Sequence, residues 1–107
     1  KAQAIVEMLA PHHRGLEMRA IAAEDIDTAK ADEDILINTT SLGLHDGDDL
    51  PCGLDGLKPD ALVADIIMIP PVTPWMAEAE KKGLKTHAGK HMLDYQRDLI
   101  GSFIGAL

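Results

Sequence analysis

The sequence predicts an α/β fold, a parallel sheet with helices on both faces. Short apolar runs, at Ile35 to Ile37 and at Ala61 to Met68, are separated by stretches whose apolar residues recur at helical spacing. Strand and helix patterns follow one another along the chain, the order that builds parallel βαβ units. The first of these runs halts abruptly at Asn38-Thr39-Thr40-Ser41, with Gly43 just beyond. That polar stop marks the carboxyl end of a strand, and ligands of open α/β sheets bind in the crevice outside those ends. The same residues also suit a turn that satisfies its own backbone.

Taken in order, residues 1 to 10 place Ile5, Met8 and Leu9 on one helix face, and Pro11 ends the pattern. His12 and His13 are adjacent, so a regular helix cannot turn both toward one metal ion, and a solvated loop is expected there. Leu16 to Ala22 alternates as a strand does. Glu24 to Ala31 predicts a short helix with acidic residues in its first turn, where the helix dipole favours them. The continuous run at Ile35 to Ile37 is expected to be a strand buried on both faces.

Past Gly43 the chain turns polar. His45, Asp46, Asp48 and Asp49 surround Gly47, but the alternating oxygen ligands and closing glutamate of a calcium loop are missing, so a surface loop is expected. Ala61 to Met68 is the second strongly apolar strand, and Asp65 within it needs hydrogen-bond partners if it is buried. Pro70-Pro71 forces an extended link. Thr73 as N-cap and Pro74 at the first helical position then open a helix that closes at Lys81, Lys82 and Gly83. Leu84 to His87 reads as a short strand. A last helix from about Lys90 to Ala106 carries Met92, Leu93, Leu99, Ile100, Phe103 and Ile104 as a stripe, with Gln96 inside it.

Composition narrows the function. The 107 residues suit one small domain, and 18 acidic against 10 basic residues give a net charge of -8, which argues against nucleic acid or an anionic membrane as partner. No apolar run approaches the roughly 20 residues that span a bilayer. Cys52 is the only cysteine, so no internal disulfide forms, and a reduced cytoplasmic setting is expected. The first residues lie within a helical pattern and lack an initiator methionine, which predicts a segment of a longer polypeptide.

Asn38-Thr39-Thr40-Ser41-Leu42-Gly43, Ala64-Asp65-Ile66-Ile67-Met68-Ile69-Pro70, Thr73-Pro74, Gly83, Gly89, Met92-Leu93, Gln96, Phe103 and Gly105, in this order and spacing, resemble the C-terminal half of shikimate dehydrogenases. The resemblance, from about Asp34 to Gly105, implies part of a two-domain oxidoreductase that interconverts 3-dehydroshikimate and shikimate with NADP or NAD. It implies a partial Rossmann-like, doubly wound sheet lacking its first two strands, with residues 1 to 107 the C-terminal portion of the dinucleotide-binding domain.

The family's phosphate-binding turn and catalytic Lys/Asp pair would lie upstream, so no catalytic residue is expected here. Carried over by resemblance, Asn38, Thr39, Thr40, Ile66 and Gly89 would contact the cofactor, while Gln96 and Met68 would face substrate; no metal is expected. The partners implied are a shikimate-like small molecule and the upstream part of the same polypeptide. Met68 stands where the family commonly has tyrosine, and His91 where it often has glycine, so quinate or an amino analogue are further candidate substrates. A cofactor-binding module without turnover is the competing reading.

Overall fold

The computed structural model describes all 107 residues. Three parallel strands form one sheet in the order β1-β2-β3, with β1 at Ile35–Asn38, β2 at Leu62–Asp65 and β3 at Lys85–His87. The register pairs Ile35 with Leu62, Asn38 with Asp65, and Ala64 with His87. This is a partial Rossmann-like α/β fold. The helices are α1 (Ala2–Leu9), α2 (Ile26–Ala29), α3 (Pro74–Lys81) and α4 (Lys90–Phe103), with 3₁₀ turns at Ala10–His12, Ala23–Asp25 and Lys30–Asp32.

The start of α3 follows from local chemistry. Thr73 is extended, and its hydroxyl oxygen accepts the Met76 N–H at 3.3 Å, while Pro74 supplies the first helical position with its φ already set. The helix lays Trp75, Met76 and Ala79 on the sheet, where they are 2 % exposed or less. Leu54 and Val63 meet Trp75 and Ala79 to form the core, and Leu36 and Leu84 pack on it from the flanking segments. The indole N–H of Trp75 donates to the Cys52 carbonyl at 2.9 Å, so the long β1–β2 connection is pinned to α3.

Away from this seam the chain is loose. The Cα radius of gyration is 16.1 Å, against about 13 Å for a compact chain of this length. No residue of α1 is buried. Leu16 to Ala22 forms no strand, contrary to its alternation. A strand's hydrogen bonds come from another segment, and alternation cannot supply one. Ile21 lies instead along a groove of about 330 Å³ beside Ile35 and Ile37.

Those two residues correct a second expectation: β1 is not covered on both faces, since Ile35 is 53 % and Ile37 57 % exposed. By strand alternation their backbone N–H and C=O groups point away from β2, so the outer edge of β1 is open. The apolar stripe of α4 is likewise exposed, and only Gly101 of that helix is buried. No helix is long and apolar enough to cross a membrane.

Candidate functional site

β1 and β2 both end on buried polar residues, and these organise the crevice beyond the sheet. Asn38 is 2 % exposed and Asp65 is 3 % exposed, side by side in register. The Asn38 amide nitrogen donates to Asp65 Oδ1 at 3.2 Å and to the Leu42 carbonyl at 3.0 Å. Its oxygen accepts the Thr40 N–H at 3.0 Å and the Thr40 hydroxyl at 2.7 Å. Both donors and both lone pairs of the amide are therefore used.

Asp65 Oδ1 also accepts the Ile67 N–H at 3.0 Å, and Oδ2 accepts the Thr73 hydroxyl at 3.0 Å. Thr73 thus donates to Asp65 while capping α3. A carboxylate this deep costs several kcal/mol unless its oxygens are bonded, and no buried side-chain polar atom in the chain is left without a partner. The network fixes three backbone segments relative to one another: the turn after β1, the segment after β2, and the first turn of α3.

Thr39, Thr40 and Met68 are exposed and Ile66 is half-buried, all at the carboxyl end of the sheet. Thr40 and the run from Ile66 to Ile69, with Ser41 and Leu44, line a hollow of about 370 Å³. Asn38 lies behind this surface, shaping the turn from inside. The alternative reading of that turn, as one that satisfies its own backbone, therefore describes what Asn38 does. Gln96 is exposed on α4, not buried within an apolar seam.

Gly89, expected to let a cofactor approach closely, has a partner within the protein. A Cβ there would lie 2.5 Å from the Ile66 carbonyl carbon and oxygen and 2.6 Å from the Ile67 oxygen. Only glycine allows the start of α4 to dock against the backbone that follows β2. Just beyond it His91 stacks on His87, ring centroids 4.6 Å apart.

The acidic loop is ordered by its own backbone. Asp48 Oδ2 accepts the N–H groups of His45 at 3.1 Å and Gly43 at 3.0 Å, and these bonds hold its carboxyl below the usual carboxylate range. No group of three or more metal-ligating side chains gathers there or elsewhere.

Sequence reasoning missed Lys30. It is 4 % exposed, and its ammonium donates to Asp27 Oδ1 at 2.5 Å and to the Gly53 carbonyl at 2.6 Å, bracing α2 against the β1–β2 connection. One signal was available: Lys30, the C-cap of α2, follows Ile26 by one helical turn and so continues its face, although lysine at such a position is more often solvated.

No protein-family model matches the chain. Among curated proteins, shikimate dehydrogenase (NADP(+)) of Staphylococcus haemolyticus is 42 % identical over 77 residues, which is 72 % of this chain and 29 % of that protein. The enzyme of the same name from Geobacillus kaustophilus is 41 % identical over 73 residues, 67 % of this chain and 26 % of that protein. The chain is homologous to the shikimate dehydrogenases over most of its length. It spans about three tenths of the length of these relatives.

Among solved structures, quinate dehydrogenase from Corynebacterium glutamicum in complex with NAD superposes with a TM-score of 0.73 at 25 % identity, covering 86 % of this chain and 33 % of that one. The ligand-free 5-ketofructose reductase of a Gluconobacter strain gives a TM-score of 0.54 at 36 % identity, covering 59 % of this chain and 23 % of that one.

Proposed function

We propose that residues 1 to 107 form the C-terminal portion of the dinucleotide-binding domain of a longer, NAD(P)-dependent oxidoreductase. The whole protein interconverts 3-dehydroshikimate and shikimate, or a close analogue. The homology to shikimate dehydrogenases carries this reading. The crevice supports it: Thr40 and Ser41 stand beside the apolar wall from Ile66 to Ile69, a lining that suits a ribose beside a flat nicotinamide ring, and no carboxylate lines that wall to repel phosphates.

A bound nicotinamide supplies hydride transfer at the carbon that carries the reacting hydroxyl, with the hydroxyl proton passing to a base. The residues of this chain bind and orient. Thr39 and Thr40 hold the ribose side, and Asn38 fixes Thr40 from behind. Ile66 faces the nicotinamide, and Gly89 brings the start of α4 against Ile66. Gln96 and Met68 face the substrate. The open edge of β1, with Ile35 and Ile37 more than half exposed, is covered by an upstream part of the same polypeptide.

The test is the full-length polypeptide, assayed for reduction of NADP⁺ and NAD⁺ by shikimate and by quinate. Turnover with either alcohol is expected, and Gln96→Ala should lower kcat/KM about tenfold or more, the effect of leaving a substrate hydroxyl unpaired. Cofactor binding without turnover of either alcohol would replace the enzyme reading with the binding-module reading.

A further inference from the structure

His12 and His13 are adjacent and cannot both serve one ion, but a second pair of histidines is spaced differently. His87 is the last residue of β3, and His91 stands in the first turn of α4. Between them Gly89 rests on the backbone of Ile66 and Ile67, where the strand gives way to the helix. The two rings meet there, with centroids 4.6 Å apart and planes inclined at 29°, and both residues are exposed. Their polar neighbours in sequence bond elsewhere, Thr86 to Glu80, Lys90 to Asp94 and Arg97 to Asp98, and neither imidazole enters a hydrogen bond or ion pair with the protein. Both nitrogens of each ring are therefore left for solvent or a ligand.

Neutral imidazole is the commonest protein ligand for a transition metal. Two imidazoles bound side by side to one ion, at about 2.0–2.1 Å per nitrogen, put their ring centres roughly 4.5–5 Å apart. The observed separation already meets this. What remains is a turn of each ring about its Cβ–Cγ bond, a broad torsion for histidine that leaves the ring centres nearly in place.

We propose that His87 and His91 form a two-imidazole site for a divalent transition-metal ion, zinc or copper(II), which ties the end of β3 to the first turn of α4. Two protein ligands leave the other positions to water, so the ion exchanges readily, unlike that of a closed structural centre with four ligands. Magnesium and calcium, which demand oxygen ligands, are excluded by the same chemistry. An ion held there fixes Gly89 where it meets Ile66 and Ile67, and stiffens the base of the helix that carries Gln96. The site stands apart from the dehydrogenase reading and does not depend on it.

The experiment uses the full-length polypeptide, freed of metal with a chelator, beside His87→Gln, His91→Gln and the double substitution. In calorimetric titration with zinc, the unaltered protein should bind one equivalent more than the double variant. Each single substitution should weaken that equivalent by about tenfold or more, at least what is lost with a group that merely orients a metal ligand. With one equivalent of copper(II), electron paramagnetic resonance should show coupling to two nitrogens in the unaltered protein and to one in either single variant. The measurement on the unaltered protein stands alone, so it decides even where a variant melts early. Amides around Gly89 should exchange more slowly with zinc present, and only when both histidines are there. Zinc binding that is the same in every variant, or absent from the unaltered protein, would overturn the proposal. So would dependence on only one of the two residues, which would mark a lone surface histidine beside a stack that binds nothing.

Discussion

β2 and one stripe of α4 are both apolar, yet they end in opposite environments. Val63 of β2 is 0 % exposed, while Phe103 of α4 is 91 % exposed. β2 has a strand on each side and α3 across it, so its side chains meet a formed surface. α4 is built by its own backbone hydrogen bonds, which need no neighbour, and its stripe forms whether or not anything covers it. Periodicity thus specifies which side chains share a face. Burial depends on what stands opposite.

The contrast can be tested by substitution, with unfolding of this chain followed in denaturant. Trp75→Ala should cost about 3–5 kcal/mol, since it empties the centre of the β2–α3 seam and frees the Cys52 carbonyl. Asp65→Ala should cost about 3 kcal/mol by stranding the Asn38 amide, the Ile67 N–H and the Thr73 hydroxyl, and Asp65→Asn should cost less because its oxygen still accepts. A Cβ at Gly89 cannot fit against Ile66, so Gly89→Ala should lose about 1–3 kcal/mol and loosen α4 before any question of cofactor affinity arises. Phe103→Ala should change stability by less than about 0.5 kcal/mol. A large effect of that last change in the full-length polypeptide, with none in this chain, would locate the surface that covers α4.

The smallest effect belongs to the Asp48 loop. Hydrogen bonds from His45 and Gly43 lower the folded pKa of Asp48. Its contribution is therefore complete above the ordinary carboxylate value and disappears as pH falls through the lowered one. Asp48→Asn should flatten that acidic limb of a stability–pH profile and leave the neutral region almost unchanged.

How much could be read from the sequence follows the same division. The α3 start was legible because Thr73, Pro74 and Met76 are near neighbours in sequence and the cap is local chemistry. The polar ends of β1 and β2 were legible as breaks in apolar runs. That Asn38 and Asp65 bond to each other was not, because the pairing is set by the register of strands 27 residues apart. Leu16 to Ala22 failed as a strand, and Ile35 and Ile37 as a covered pair, for one reason: each depends on a partner strand that the residue pattern does not supply. Lys30 was hidden because its partners, Asp27 and the Gly53 carbonyl, meet only after the β1–β2 connection folds back.

The Asn38–Asp65–Thr73 network also bears on how the molecule opens. The Ile67 N–H ends on Asp65, and the Met76 N–H ends on the Thr73 hydroxyl that is itself bonded to Asp65. Neither amide reaches solvent by fraying a single turn, because separating either from its acceptor disturbs a buried carboxylate. Ile67 and Met76 should therefore exchange their amide hydrogens for deuterium in step, in one cooperative unit. The amides of α1, with no buried residue to hold them, should exchange early and independently. The part of this fold that opens last would then be the junction of two strand ends and a helix start, beneath the crevice, together with the turn after β1 that Asn38 holds to it.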